Sequence, residues 1–228
     1  MTATPAMRGS AVNGAREPAF RISRSNQFAE TAMKLPKLTL VGVAAGLLST
    51  AAWAQTTAEM DQQRDVNQQE RIEQGLQSGE LSTREAGHLE RDEQHVDRME
   101  ANDLRGGKIT PAEQARLNAA QNNASRQIYA DKHNATTGNP GSLSSQRMQS
   151  DVQRNVNQQQ RIHNGMDSGA LTNKEAGSLE RGQAHVARRE ANAAANGHIS
   201  GAEQGRIQRS ENYQSARTYN EKHNGVTK

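Results

Sequence analysis

What most limits the folds open to this chain is that it states one pattern twice. Residues 66–134 and 156–224 align without a gap at an offset of 90, with 34 identities in 69 positions. Val66 falls on Val156, Gly79 on Gly169, Gly107 on Gly197 and Asn134 on Asn224. The central stretch reads Leu81-Ser-Thr-Arg-Glu-Ala-Gly-His-Leu-Glu-Arg and returns as Leu171-Thr-Asn-Lys-Glu-Ala-Gly-Ser-Leu-Glu-Arg. Identity at one fixed period marks an internal duplication.

Each copy carries two helix-start signals at matching offsets. Ser82-x-x-Glu85 and Thr110-x-x-Glu113 are capping boxes, in which hydroxyl and carboxylate satisfy the amides that open a helix. Thr172-x-x-Glu175 and Ser200-x-x-Glu203 repeat them. Pro111 stands at a first helical position, where its missing donor is harmless. Apolar residues recur at helical spacing: Val66, Ile72 and Leu76, then Ala86, Leu89 and Val96, then Leu117, Ala120, Ala124 and Ile128. Val156, Ile162, Met166, Ala176, Leu179, Val186 and Ile207 keep these faces, but the last helix then weakens to Ser210, Gln214 and Thr218 and is expected to be less firmly packed. No strand pattern occurs. The expectation is an all-α fold of two tandem three-helix units, each up-down-up.

The segments ahead of the repeats read differently. Residues 33–54 read as a signal peptide: Met33-Lys-Leu-Pro-Lys37 is a basic opening, Leu38–Leu48 an apolar core and Ala52-Trp-Ala54 a cleavage site. The apolar run is shorter than the roughly 20 residues of a membrane-spanning helix, so no span is expected after cleavage. Residues 1–32 read as a disordered or non-native extension, with Met1 and Met33 both open as starts. Residues 55–134 form the first unit, 135–150 a Gly/Ser/Pro-bearing flexible linker and 151–228 the second unit. The expected location is the periplasm or the exterior.

Charge narrows the partners. The whole chain is +3, but residues 1–54 contribute +4 and residues 55–228 carry −1. The basic character belongs to the leader, which removes the bulk-charge case for nucleic-acid binding. Residues 55–145 are net −5 and residues 146–228 net +4, so the two units are expected to attract each other, within a chain or between chains. There is no cysteine, and aromatics make up 3% of the chain. The expected core is therefore thin, supported by self-association or a protein partner.

Four groups of residues bear on chemistry. The turns share Gly, an apolar residue, Ser/Thr and Glu with the second half of an EF-hand loop. The first-half positions (Gln74, Leu76 and Ser78 in the first turn) lack the carboxylates, and the capping boxes account for the rest. His88, Asp92 and His95 share one helix face and form a candidate transition-metal set. Their counterparts are Ser178, Gly182 and His185, so the set is not duplicated. No nucleophile elbow, zinc-protease motif or phosphate loop occurs, and no enzyme or cofactor is expected. Tyr129, Lys132 and His133, with Tyr219, Lys222 and His223, close the copies as helix ends and as candidate partner contacts.

The SGxLTxxEAxxLE and GxITxxExxRL phrases with their Lys-His-Asn ending resemble exported tandem-repeat helical proteins of proteobacterial envelopes. The likeness covers nearly all of 65–134 and 155–224 and implies export and a helical fold, with no activity attached. The expected function is a non-catalytic exported binding or interaction protein. The alternative is a periplasmic divalent-metal-binding or metal-responsive protein.

Overall fold

Five of the six helices among the described residues open on a side-chain cap. A computed structural model describes residues 57–226; the expected signal at 33–54 and the extension at 1–32 lie outside the described residues. The helices are α1 (Thr57–Ser78), α2 (Thr83–Asp103), α3 (Pro111–Lys132), α4 (Leu143–Asp167), α5 (Asn173–Ala194) and α6 (Gly201–Lys222), with a 3-10 turn at Leu104–Gly106. Ser82, Thr110, Thr172 and Ser200 each accept from the amide three residues on, and Glu85, Glu113, Glu175 and Glu203 reach back, so all four boxes close. Ser142 caps α4 by accepting from the Ser145 amide. No strand occurs among the described residues.

The copies do not keep separate cores. One cluster joins Ile72, Leu76, Leu81, Ala86, Leu89 and Ile128 of the first copy to Met148, Val152, Ala193, Ala194, Ile199 and Ile207 of the second. Another joins Ala58 and Leu104 to Ile162, Met166, Leu171, Ala176 and Leu179. The end of α1 therefore meets the start of α4, and the start of α1 meets the end of α4. This is an antiparallel pairing.

Helices α2 and α5 pair in the same sense and more closely. A Cβ on Gly87 would lie 2.5 Å from Ala194 Cβ, and one on Gly177 would lie 2.8 Å from Leu104 Cβ. The two glycines occupy equivalent positions, as do Leu104 and Ala194. The contact is thus self-complementary about a pseudo-twofold axis, like the interface of a symmetric dimer. Only glycine lets the two backbones approach so closely. The inner bundle is α1, α2, α4 and α5; α3 lies against α1 and α2, and α6 against α4 and α5.

Two local expectations change in the structure. The segment expected as a flexible linker is partly helix, since α4 starts at Leu143. The rest is held: the Gly138 amide donates to Gly79 O (2.8 Å), and Gln149 donates to Leu76 O and Pro140 O. The weakened stripe of α6 packs through polar groups instead. Gln214 is buried and donates to Leu179 O at 2.7 Å, and the Thr218 hydroxyl donates to Gln214 O. A Cβ on Gly182 would meet Gln214 Oε1 at 1.9 Å. The first copy instead opposes Asp92 to Ala124, so a large residue and a small one have exchanged helices.

Candidate metal centre

The interior of the bundle holds carboxylates. Eleven Asp and Glu side chains are buried among the described residues, with no buried Lys or Arg. Four come from α2, where Glu90, Glu93, Asp97 and Glu100 follow one another at i, i+3, i+7 and i+10 and face inward. Asp65 comes from α1, Asp151 from α4, Glu180 and Glu190 from α5, and Glu211 from α6.

A lattice of amides holds them. Gln121 Nε2 donates to Asp65 Oδ1 (3.0 Å) and Glu100 Oε1 (3.1 Å), and Gln62 Nε2 donates to Glu100 Oε2 (2.6 Å). Gln159 Nε2 donates to both Asp97 Oδ1 (3.3 Å) and Glu180 Oε2 (3.2 Å). In the other half, Asn155 Nδ2 donates to Glu190 Oε2 (2.8 Å) and Gln69 Nε2 to Glu90 Oε2 (3.2 Å).

Asp65, Asp97 and Glu180 converge. One carboxylate oxygen from each lies within 4.8 Å of the others, and no other trio of His, Asp or Glu does so among the described residues. That limit is twice the ~2.4 Å of a calcium–oxygen bond. Beside them sits Glu93, 1% exposed, with neither carboxylate oxygen hydrogen-bonded. Asp65 Oδ2, Glu180 Oε1, Gln62 Oε1 and Gln159 Oε1 are also buried oxygens with no hydrogen-bond partner. An all-oxygen donor set of this kind suits a hard divalent cation rather than a soft one.

The electrostatics point the same way. Burial pushes the Glu93 carboxyl well above the usual range, and the charges of Asp65 and Asp92 push it further. Burial also raises Asp97, aided by Glu180, Asp65 and Glu93. Burial raises Glu180 too, with Asp65 adding to it. Asp65 is raised by burial against the opposing hydrogen-bonding contact with Glu100 and the amide of Gln121. Ionising this group costs free energy unless protons or a cation neutralise it.

The duplication supplies an internal comparison. Through the pseudo-twofold axis Asp65 becomes Asn155, Asp97 becomes Ala187 and Glu180 becomes Glu90. The equivalent of Glu93 is Gln183. One half thus gathers four acids where the other keeps one.

The sequence-derived sites lie elsewhere. His88 and His95 are exposed on the outer face of α2, with Asp92 half-buried between them. Burial raises Asp92 and Asp131 adds to it, while Arg91 and the two histidines oppose. Tyr129 and His133 stack at 4.1 Å and Tyr219 and His223 at 4.2 Å, with both tyrosines exposed. Lys132 pairs with Glu80 at 3.2 Å, and Lys222 donates to Arg161 O. Asn134 and Asn224 do more than stop a helix: they donate to Glu85 and Glu175, locking the end of each copy onto its first capping box. Those glutamates are spoken for by caps and asparagines, so the EF-hand outline carries no free ligand at these turns.

Sequence reasoning missed the interior acids. A signal was present: Glu90/Glu180 and Glu100/Glu190 are identical between copies and share a face with Gly87 and Ala101. Compared with protein-family models, curated proteins and solved structures, the chain matches none.

Proposed function

We propose that this chain is an exported, non-catalytic helical binding protein whose bundle interior holds one hard divalent cation. The observation that carries the reading is the convergence, in the buried interior, of one carboxylate oxygen from each of Asp65, Asp97 and Glu180, with the charge of Asp65 also acting on Glu93, whose two oxygens are buried and unpartnered. Leaving a buried carboxylate with no partner costs several kcal/mol, a large share of the roughly 5–15 kcal/mol that holds a domain together. A cation held by the Asp65, Asp97 and Glu180 oxygens lowers the cost of keeping these carboxylates, and Glu93 near them, ionised. The amides of Gln121 and Gln159 orient the ligands from outside, as outer-shell groups do at metal sites. The two three-helix copies act as halves of one scaffold, and the signal at 33–54 delivers it to the periplasm or beyond. Binding one cation rather than two follows from Asn155 and Ala187, which remove the sister site.

The test exploits the duplication. Purified protein is stripped with chelator and titrated with calcium, magnesium and manganese by calorimetry, with thermal melts in parallel. One equivalent is expected to bind and to raise the melting temperature. The D65N/D97A variant gives two of the three converging positions the sister's residues, Asn155 and Ala187, and the sister folds as the other half of the same bundle. The variant is expected to lose binding while keeping its helical spectrum. Absence of binding by every cation tried, or unchanged affinity in D65N/D97A, sinks the reading. The H88A variant is expected to bind as the parent does.

A further inference from the structure

The outer helices of the two copies enclose equivalent grooves with different linings. In the second copy, α5 and α6 frame a groove of about 410 Å³. Its lining includes Arg189, Arg206, Arg209, Arg217, His185 and Tyr213, and no carboxylate among the described residues. The first copy's groove uses the same ten positions shifted by 90. There the equivalents are Met99, Arg116, Ala119, Gln127, His95 and Asn123, and Asp92 joins the wall. The second copy has therefore gained three arginines and a tyrosine and lost an acid at one structural location.

Three of these four arginines are not spent on structure. Arg189, Arg206 and Arg209 are exposed and form no ion pair among the described residues. Arg217 is fixed by hydrogen bonds to Ser178 and Gln214, which hold its guanidinium at the groove wall. The nearest acid, Glu203, shares an adjoining groove with Arg189 and Arg206; hydrogen bonds from Ser200 hold its pKa down, and the Arg206 charge helps. Glu203 closes the cap of α6 with Ser200, and Glu211 is buried and pairs with Arg154. Partial burial lowers the His185 pKa, and Arg188, Arg98, Arg189 and Arg181 lower it further; of these four, Arg189 lines the groove. Tyr213, 69% exposed, offers a hydroxyl and a ring face at the rim. Guanidinium groups lining one groove suit phosphate oxygens, which they bind through paired N–H donors.

We infer that the α5–α6 groove binds a small polyanion carrying two or more phosphate groups, and that the first copy's groove does not. The volume fits a small molecule or a headgroup. The phosphates could belong to a free ester or to an anionic lipid, and the test separates these sources.

Sodium pyrophosphate is titrated into the protein in chelator, so that cation binding in the bundle interior does not contribute. Calorimetry is expected to show one site. Proton NMR is expected to show the His185 pKa rising on binding while that of His95 stays put. The R189M/R209A variant restores the first copy's residues at two positions and is expected to weaken binding by about tenfold for each arginine. Vesicles containing cardiolipin, whose headgroup carries two phosphates, form the second arm; binding that pyrophosphate displaces assigns the source to a lipid headgroup. No binding of pyrophosphate, no movement of His185, equal affinity in R189M/R209A, or vesicle binding that pyrophosphate cannot displace would each overturn the inference.

Discussion

Replacing a buried acid of this bundle by its amide is expected to stabilise the protein, and Asp151 is the place to see it. Asp151 is 0% exposed on α4. Burial raises its pKa from 3.8 to about 9, with Glu190 and Glu211 adding to the rise and Gln204 and Arg154 opposing it. The folded state therefore keeps a proton that the unfolded chain has released at neutral pH. A group raised in this way contributes stability at low pH and loses it as pH climbs from the unfolded pKa to the folded one. Each pH unit in that window costs about 1.4 kcal/mol. From pH 4 to pH 7 this one residue removes up to about 4 kcal/mol, and local relaxation reduces that to about 2–4 kcal/mol. Asp151→Asn abolishes the proton requirement. The amide oxygen still accepts from Gln204, which now donates to Asp151 Oδ1 at 2.6 Å, and the amide nitrogen takes the place of Oδ2, which has no partner. Urea unfolding followed by circular dichroism, in chelator at pH 5, 7 and 8, measures the effect. The variant should match the parent near pH 4 and exceed it by about 2–4 kcal/mol at pH 7, which is about 5–15 °C in melting temperature. Lower stability of D151N at pH 7, or a parent whose stability rises between pH 5 and 7, would refute the reasoning.

Other expectations follow from the same geometry. Gly87→Val forces α2 from α5 and should cost about 1–3 kcal/mol or more, measured by urea unfolding, whereas the same change at the exposed Gly106 has open space around it. Residues 55–138 alone should give no folded monomer, because Leu81, Ala86 and Leu89 close their cluster against Met148, Ala194 and Ile199; sedimentation and circular dichroism check this. Thr110→Ala should lose about 1 kcal/mol through the cap of α3, seen as a lower urea midpoint. Asn134→Ala should raise the pKa of Glu85, which burial pushes up but the bonds from Asn134 and Ser82 hold below the usual range; carboxyl NMR reads the change.

The helix boundaries were legible because they are local. A hydroxyl at the cap and a glutamate three residues on set a start whatever surrounds them, and all four such starts occur where Ser82, Thr110, Thr172 and Ser200 place them. The apolar stripes were legible too, since Leu89 and Val96 on α2 answer to a simple helical period. The interior acids were not. Glu90 and Asp97 look like solvated surface residues until a second helix covers them, and in sequence nothing within one copy supplies that cover.

By itself, then, the sequence determined three helices in each copy, the caps at Ser82, Thr110, Thr172 and Ser200, and the repetition, while the α4 cap at Ser142 lay in a stretch read as linker. The tertiary structure alone decided that the copies close on each other, antiparallel, through Gly87 and Gly177. That closure turns a second face of α2 and α5 from water to interior. It makes Asp65, Glu93, Asp97 and Glu180 neighbours although they come from three helices. Burial is a property of the assembled chain, and it is burial that gives these carboxylates their chemistry.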